Sequence, residues 1–412
     1  MTDLEPILSL WRDIEPAGSD YVLATIVAVE GSSYRRPGAR MLLAQDGRRA
    51  GTVSGGCLEA EVAKRAFWLT ENGPVVEQFS TFEDDGERPY GSGCGGVVSI
   101  LLERRRTAAP LLRALECAFA QRNSLAIATI LEGLKTGRRA FAQFSGPILD
   151  SPEMLRAPSF RQPFGERVGH HESVERCERA GDPESTDDLD RDELQSLADQ
   201  ALETRASIEL KISIDGSRTR AWADFRPARP ALWIFGAGDD ARPLLRLASE
   251  LGWFVAVADG RSHLATRDRF ASAGEIAVLN IAALPGPEFA RFDIHPTDAA
   301  VVMTHSFEQD SRILASLLSL DIPPAYVGVL GPQRRTREML AEAARLFNLP
   351  AHEDQIERWL AKIHAPTGLD LGADTPASIA LSILAEIQQK LNSGTGSPLR
   401  EVRAAKFEGA RT

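Results

Sequence analysis

The stretch that decides the fold is ALWIFGAGDDARPLLRLASELGWFVAVAD, residues 231–259. Its first part, Ala231–Phe235, is an apolar run that predicts a buried strand, and a Gly-x-Gly-x-x-Ala sequence follows it directly. A helical apolar pattern comes next, and then a second apolar strand that ends at Asp259. The order of strand, glycine turn, helix, strand and acidic residue is typical of a Rossmann-like parallel sheet. We therefore expect an α/β fold.

The same stretch supplies candidate contacts for a dinucleotide. Gly236 and Gly238 would let a pyrophosphate approach the backbone at a helix N-terminus, and Asp259 could hold ribose hydroxyls. Asp239 and Asp240, in contrast, would place two negative charges where the pyrophosphate binds. Two interpretations stay open: a site for a nucleotide or NAD(P), and a Rossmann fold that binds no nucleotide.

Two later strands place further candidates at the sheet edge. The run Ala299–Met303 ends in Thr-His305, and the run Ala325–Leu330 is followed by Gly-Pro-Gln-Arg334-Arg335. Because parallel strands bring their carboxyl ends to one edge, His305, Arg334 and Arg335 are candidate ligand contacts. The arginines could bind a phosphate; alternatively, they cap a helix or lie in solvent.

The last predicted element is a helix from Ala377 to about Leu391. Thr375 is a natural N-cap for it, with Pro376 at the first helical position. An apolar stripe at helical spacing begins at Ile379. The stripe fits either core packing or a contact between protomers, so a homodimer is one alternative.

Two loops in the first hundred residues combine glycine with cysteine. They are SGGC, residues 54–57, and GSGCGG, residues 91–96, in a chain with only four cysteines among 412 residues. Small neighbours would leave both the sulfur and the adjacent N–H groups accessible to a bulky ligand. The alternative is two tight turns that happen to carry cysteine. The candidate cofactor-binding residues of these loops are Cys57, Cys94, Gly55, Gly56, Gly95 and Gly96, and both cysteines are candidate soft-metal ligands.

The amino-terminal region has a mixed α/β pattern around these loops. A basic loop, GSSYRRPG at 31–38, lies between two predicted strands and offers backbone donors and charge for an anion. A helical pattern over 58–69 places Cys57 at a helix N-terminus, where the dipole favours a thiolate or a bound anion. Cys117, on a predicted helix over 110–120, is expected to be an inert packing thiol. The candidate residues in the basic loop are Ser32, Ser33, Arg35 and Arg36.

Composition excludes several classes of protein. The net charge is −11, and the segment 172–203 carries most of it, with twelve carboxylates against three arginines. The remainder is nearly neutral, so no nucleic-acid-binding surface is expected. No apolar run reaches membrane length, and the amino terminus lacks a signal-peptide pattern. Few cysteines and no disulfide framework agree with a cytoplasmic protein.

Changes in composition predict the domain boundaries. Residues 151–192 are rich in proline and charge and lack periodicity, which is typical of a flexible linker or an insertion. The predicted organisation is an amino-terminal domain at 1–150, this acidic segment at 151–192, a connector or return to the first domain at 193–228, a Rossmann-like domain at 229–391 and a flexible tail at 392–412.

Taken together, the motifs resemble one family. GSSYRRPGARMLL, GTVSGGCLEAEV and SGCGGVVSILLE occur in the first part, and LWIFGAGDDARPLLRLASELGWFVAVADGR, VVMTHSFEQDSRIL, AYVGVLGPQRR and HAPTGLDLGADTPASIALSILAEI occur in the second. The chain resembles the XdhC/CoxI family, the accessory proteins of xanthine dehydrogenase and related molybdenum hydroxylases. The resemblance covers most of the chain outside residues 106–228.

The resemblance implies a cytosolic protein that binds molybdenum cofactor, protects it during sulfuration and passes it to an apo-hydroxylase. A cysteine desulfurase would be a second partner. The sulfurs of Cys57 and Cys94 suit the metal or its sulfido ligand, and Arg35 or Arg36 suits the oxo groups and the phosphate. We therefore expect a cofactor-insertion chaperone and not an enzyme.

Two alternatives remain. An NAD(P)-dependent oxidoreductase would use Asp259 on the ribose and His305 or a cysteine as the acid, but it leaves the glycine–cysteine loops without a role. The second alternative is a non-catalytic scaffold for a hydroxylase and its desulfurase.

Overall fold

The computed structural model describes residues 4–56, 58–80, 96–144, 188–214, 216–349 and 352–402. These residues form two compact units. The first contains the described residues up to 229, and the second contains those from 230 onward. Within the described residues, no helix is both long enough and apolar enough to cross a membrane.

The first unit contains two antiparallel sheets. One has five strands in the order β3-β2-β1-β5-β4, and the other has four in the order β7-β6-β9-β8. Its elements are α1 (Leu4–Ile14), β1 (Tyr21–Gly31), β2 (Arg40–Ala44), β3 (Arg49–Gly51), α2 (Glu59–Leu69), β4 (Val75–Ser80), β5 (Gly96–Arg104), α3 (Arg105–Gln121), β6 (Ser124–Ile130), β7 (Arg139–Phe144), α4 (Asp188–Thr204), β8 (Ile208–Ile214) and β9 (Ser217–Arg226).

Helices cover both faces of the five-stranded sheet. Successive strand residues point to opposite faces, so Leu23 of β1 packs with α1 and α3, while Val22 and Ala24 pack with α2. Helix α4 covers the second sheet and contributes Leu194 and Leu197 to its core. Because β1 is buried on both sides, its sequence is an almost unbroken apolar run.

Helix α4 begins at Asp188, so the end of the segment predicted as a linker is helical. The rest of that segment, from 151 to 187, lies outside the described residues. Beyond α4, β8 and β9 pair with β6, which assigns the described part of 193–228 to the first unit.

The second unit is a five-stranded parallel sheet in the order β12-β11-β10-β13-β14. This is the Rossmann strand order, because the first strand of the unit lies at the centre and the chain runs outward in both directions from it. The predicted α/β class and Rossmann-like domain are confirmed. The elements are β10 (Ala231–Phe235), α5 (Ala241–Glu250), β11 (Phe254–Asp259), β12 (Glu275–Val278), β13 (Ala299–Val302), α6 (Phe307–Leu318), β14 (Tyr326–Val329), α7 (Gln333–Leu346), α8 (Glu353–Leu360) and α9 (Pro376–Leu391).

The central strand β10 is buried on both faces. Its residues Trp233 and Phe235 pack with α6 and α7, whereas Leu232 and Ile234 pack with α5 and α9. Helix α9 starts as the sequence predicts, with the Thr375 hydroxyl accepting a hydrogen bond from the Ser378 N–H. Its apolar stripe belongs to this core. Residues 399–402, in the predicted tail, are helical.

Candidate functional site

The basic loop of the first unit begins against the end of the second glycine–cysteine loop. Strands β1 and β5 pair in a register that places Gly31 opposite Gly96. A Cβ on Gly96 would collide with the Ser32 carbonyl oxygen and would lie 2.8 Å from the Glu30 carbonyl oxygen. Only glycine allows the two backbones to approach this closely, which explains the residue at position 96.

The same loop also contacts the first glycine–cysteine loop. The Arg35 guanidinium donates from Nε to the Thr52 hydroxyl at 2.9 Å. The Tyr34 ring lies over Gly55, where an added Cβ would be 3.6 Å from the ring. The Tyr34 side chain is nonetheless 74% exposed, so an aromatic face lies at the surface beside Gly55. Segments 31–38, 52–56 and Gly96 thus form one site, which we call the loop site.

A buried hydroxyl and a buried carboxylate brace the first cysteine loop. The Ser54 hydroxyl donates to Glu59 at the start of α2 and accepts hydrogen bonds from the N–H groups of Gly56 at 3.1 Å and Leu58 at 3.0 Å. Glu59 also accepts from the Ser54 N–H at 2.8 Å. These bonds fix the backbone on both sides of position 57. Sequence reasoning missed Glu59, because its partners lie in the preceding loop and not on its own helix.

The environment of Glu59 favours the ionised carboxylate. Burial by itself raises its pKa, but the hydrogen bonds from the Ser54 hydroxyl and from backbone N–H groups outweigh burial. The net effect is a pKa below the ordinary value. The brace therefore carries a negative charge at neutral pH.

The loop site contains most of the described candidates from the sequence. Ser33 is half-buried and Arg36 is exposed. Three further candidates of the first unit, Cys57, Cys94 and Gly95, lie outside the described residues. Cys117, expected to be an inert thiol, is disulfide-bonded, so that prediction is wrong.

The glycine turn of the second unit is held against the neighbouring strand. Gly236 has a φ of +140°, and its N–H donates to the Ala258 carbonyl at 2.8 Å. A Cβ on Gly236 would lie 2.5 Å from the Met303 carbonyl oxygen. At Gly238, a Cβ would lie 2.6 Å from an Asp240 carboxylate oxygen. Gly236 thus has a structural reason that requires no ligand, whereas at Gly238 the added Cβ would meet only a side chain.

Asp259 is fully buried, and its hydrogen bonds are all internal. One carboxylate oxygen accepts from the Ala237 N–H and from Arg261 Nη2, both at 2.7 Å. The other accepts from the Arg261 N–H and Nε. Burial raises the pKa of Asp259, but hydrogen bonds from Arg261 and the backbone lower it further, so its pKa lies below the ordinary value. Each carboxylate oxygen already accepts two hydrogen bonds, so this geometry does not give Asp259 the predicted role of a ribose contact.

His305 lies at the edge where the sequence predicts it. Its φ is 63°, and its Nε2 lies 2.7 Å from a carboxylate oxygen of Asp240. Asp239 pairs with Arg269 at 2.9 Å. The two aspartates that would repel a pyrophosphate are therefore each paired with a side chain of their own unit.

The two arginines after β14 have different environments. Arg335 donates to the buried Asp310 at 2.7 Å, and Asp310 also accepts from the Thr304 N–H and hydroxyl. Arg334 is 88% exposed and lies 3.4 Å from Glu338. Arg335 is thus engaged in the fold and Arg334 extends into solvent, so of the two alternatives for these arginines, this geometry is nearer to the one without a phosphate.

A second polar cluster was not found from the sequence. Tyr326 of β14 donates to Glu386 of α9 at 2.6 Å, and Glu386 accepts from the Gly368 N–H at 2.7 Å. The Nδ1 atom of His364 lies 2.9 Å from the other Glu386 oxygen, and the His364 ring stacks on Tyr326 with centroids 4.3 Å apart. The Thr367 hydroxyl completes the cluster at 2.5 Å from the Tyr326 hydroxyl. Burial and the Glu386 carboxylate raise the pKa of Tyr326 far above its ordinary value.

The two units define a protein that joins a mixed α/β domain with loops rich in glycine and cysteine to a Rossmann domain. Residues 15–80 match the family described as the XdhC and CoxI family, and residues 232–387 match the XdhC Rossmann domain. The chain belongs to the XdhC/CoxI family.

Several relatives agree with this assignment. A protein of Bacillus subtilis, named as a probable xanthine dehydrogenase subunit, is 29% identical over 89% of this chain and 92% of its own length. The molybdenum cofactor insertion chaperone PaoD of Escherichia coli is 36% identical over 24% of this chain and 31% of its own length. A crystal structure described as a xanthine dehydrogenase from Bacillus halodurans is 27% identical, with a TM-score of 0.63 over 94% of this chain and 96% of that one.

Proposed function

We propose that this protein binds molybdenum cofactor, protects it during sulfuration and delivers it to a xanthine dehydrogenase-type molybdenum hydroxylase, without catalysing a reaction itself. Membership of the family and the names of the relatives support the proposal. The observation that carries it is the loop site, in which the residues that flank the cysteine positions 57 and 94 meet the basic loop.

The chemistry of the loop site suits this cargo. The cofactor carries a metal, soft dithiolene sulfurs, oxo groups and a phosphate. Cys57 and Cys94 would supply soft sulfur near the metal or its sulfido ligand. The N–H groups of the glycine loops and the cations of Arg35 and Arg36 would bind the oxo groups or the phosphate.

The partners follow from the proposed task. Delivery requires an apo-hydroxylase, and sulfuration requires a cysteine desulfurase, so we propose contacts with both. We also propose that the protein acts in the cytoplasm, and a homodimer is compatible with the task. The Rossmann unit would serve as a scaffold or bind a nucleotide weakly.

An NAD(P)-dependent oxidoreductase is less well supported. Its ribose-binding acid would be Asp259, but this carboxylate already binds Ala237 and Arg261. Its other candidate, His305, is paired with Asp240. The oxidoreductase would also give no role to the residues of the loop site.

The test is molybdenum per chain in protein purified from cells that make the cofactor. We expect Cys57→Ser and Cys94→Ser to lower molybdenum about tenfold or more, because losing even an outer-shell partner of a metal costs about that much. Molybdenum is measured on protein that is still folded. Arg49→Ala is the control, since it changes an exposed residue of the same unit outside the loop site and leaves every cysteine in place. Equal molybdenum in all three variants would remove the cysteines from the site, and hydride transfer from NADH to a carbonyl substrate would favour the oxidoreductase.

A further inference from the structure

A cavity of about 390 Å³ opens in the first unit, and Tyr34 and Arg35 are among the residues that line it. Its volume is within the range of small-molecule sites. One wall is apolar and comes from α3, with Leu115, Ala118 and Phe119. The cavity and the loop site share Tyr34 and Arg35, so a ligand in one would lie beside the other.

The polar lining of this cavity is strongly cationic. No aspartate or glutamate is among the described residues that line it. Asp224 lies behind the wall, where it pairs with Arg40 at 2.8 Å and with Arg226 at 2.7 Å. Asp224 thus pairs with two guanidinium groups, and the Glu5 carboxylate partly offsets the effect of burial on a third, Arg229. The arginines that line the cavity are Arg35, Arg36, Arg40, Arg226 and Arg229.

The positive charges of these arginines lie close together, so the binding of an anion would be electrostatically favourable. Burial and the nearby Arg226 lower the pKa of Arg40 to about 10, although Asp224 partly offsets them. The Arg40 Nε is buried and has no hydrogen-bond partner in the described residues. Burial also lowers the pKa of Arg229. A bound anion would relieve the repulsion between these arginines.

An aromatic element accompanies the charge. The Arg229 guanidinium lies over the Phe119 ring, 4.1 Å from its centroid. The exposed Tyr34 ring lies at another part of the lining. Arg229 already covers the Phe119 ring, so the exposed Tyr34 ring is the aromatic surface beside the guanidinium groups. Such a surface favours a ligand that has both a planar ring and a negative charge.

We propose that this cavity binds a phosphate monoester carried on a planar heterocycle. The ring packs against Tyr34 beside the α3 wall, and the phosphate pairs with Arg36 and Arg229. The identification of this ligand as the phosphate end of the cofactor rests on the proposed function. The proposal that the ligand combines a ring with a phosphate does not. A free nucleotide shares that chemistry and is the other source.

The test is calorimetry of the whole protein with GMP, guanosine, inorganic phosphate and a pterin phosphate monoester. We expect both esters to bind more tightly than guanosine or phosphate alone. Arg36→Ala should weaken the esters about tenfold, the scale of one charge-assisted hydrogen bond, and Arg36→Lys should weaken them less. Arg36 is exposed, so the variant should keep its melting temperature. The control is Arg49→Ala, an exposed arginine of the same unit outside the cavity.

The outcomes separate this inference from the proposed function. A tighter pterin ester identifies the cofactor as the source, and a tighter GMP identifies a free nucleotide; both support a ring-phosphate site. Equal binding of inorganic phosphate and the esters, or equal loss in Arg49→Ala, would overturn it. If the esters bind but purified protein carries no molybdenum, the proposed function alone fails. If the protein carries molybdenum but binds neither ester, the inference alone fails.

Discussion

The Asp259 carboxylate accepts a hydrogen bond from the Ala237 N–H at 2.7 Å, which ties the end of β11 to the turn after β10. In a dinucleotide-binding domain, an acid at this place would contact the ribose. Here the carboxylate also binds Arg261, and Arg261 in turn donates to the Thr304 carbonyl at 3.0 Å. The carboxylate that would contact the ribose is therefore engaged in hydrogen bonds within the protein.

The engagement of Asp259 predicts weak nucleotide binding by the second unit. Calorimetry with NAD and NADP should give dissociation constants weaker than about 1 mM. The titration should be repeated with Arg36→Ala, so that any heat from the arginine-lined cavity of the first unit is recognised. Tight NAD binding that survives in Arg36→Ala would contradict this account of Asp259.

Because Gly236 lies close to Met303, adding one methyl group at position 236 should strongly reduce the stability of the fold. Gly236→Ala would put a Cβ 2.5 Å from a backbone carbonyl oxygen, at a φ of +140° that other residues rarely adopt. We expect a loss of about 3 kcal/mol or more in the free energy of unfolding, measured by urea denaturation. Gly372→Ala is the matched control, because Gly372 also has a positive φ but no atom within 4 Å of the added Cβ. A similar loss of stability in both variants would mean that the close contact with the Met303 carbonyl oxygen does not contribute to it.

The Glu386 cluster predicts sensitivity to acid. Burial raises the pKa of Glu386, but hydrogen bonds from Tyr326, Gly368 and His364 lower it further, so the folded-state pKa lies below 4.5. Ionised Glu386 therefore contributes its full stability above about pH 4.5, and this contribution is lost as the pH falls through the folded-state value.

Glu386→Gln should accordingly unfold more easily at pH 7, by about 1–2 kcal/mol, and show a shallower loss of stability below pH 4.5. Urea denaturation at several pH values measures both effects. Glu250→Gln removes an exposed carboxylate of the same unit and should leave the acid slope unchanged. If Glu386→Gln keeps the wild-type slope, the cluster does not control acid stability.

Local patterns were sufficient to predict the Rossmann unit. The apolar runs at β10 and β11 and the capped start of α9 each depend on residues that are near in sequence. The strand order then follows from general rules of parallel α/β folds. The sequence did not predict the helical start of α4, because charged residues dominate that stretch. It did not predict the disulfide at Cys117 either, because the spacing of the cysteines gives no sign of it.

Side-chain roles were harder to predict, because they depend on contacts between distant segments. The sequence pattern identified Asp259 as a candidate, but its hydrogen bonds to Ala237 and Arg261 depend on the register of β10 against β11. The meeting of Ser32 with Gly96 likewise depends on how β1 pairs with β5. The Tyr326–Glu386 pair joins a strand to a helix, and neither residue has a distinctive neighbour in sequence.

The brace between Ser54 and Glu59 yields the last prediction. Glu59→Gln replaces a buried carboxylate that accepts three hydrogen bonds from Val53 and Ser54. An amide has one acceptor oxygen and adds two donors, so part of the brace is lost and a buried N–H₂ group lacks a partner. We expect a loss of about 1–3 kcal/mol in the free energy of unfolding.

If the loop site holds the cofactor, Glu59→Gln should also lower molybdenum per chain, measured on protein that is still folded at the purification temperature. The loss should be smaller than in Cys57→Ser, because Glu59 positions the loop and does not touch the cargo. Glu71→Gln removes an exposed carboxylate just beyond the end of α2 and should change neither quantity. Reduced stability with unchanged molybdenum would mean that the brace serves the fold alone, and that position 57 does not need the geometry that Ser54 and Glu59 impose.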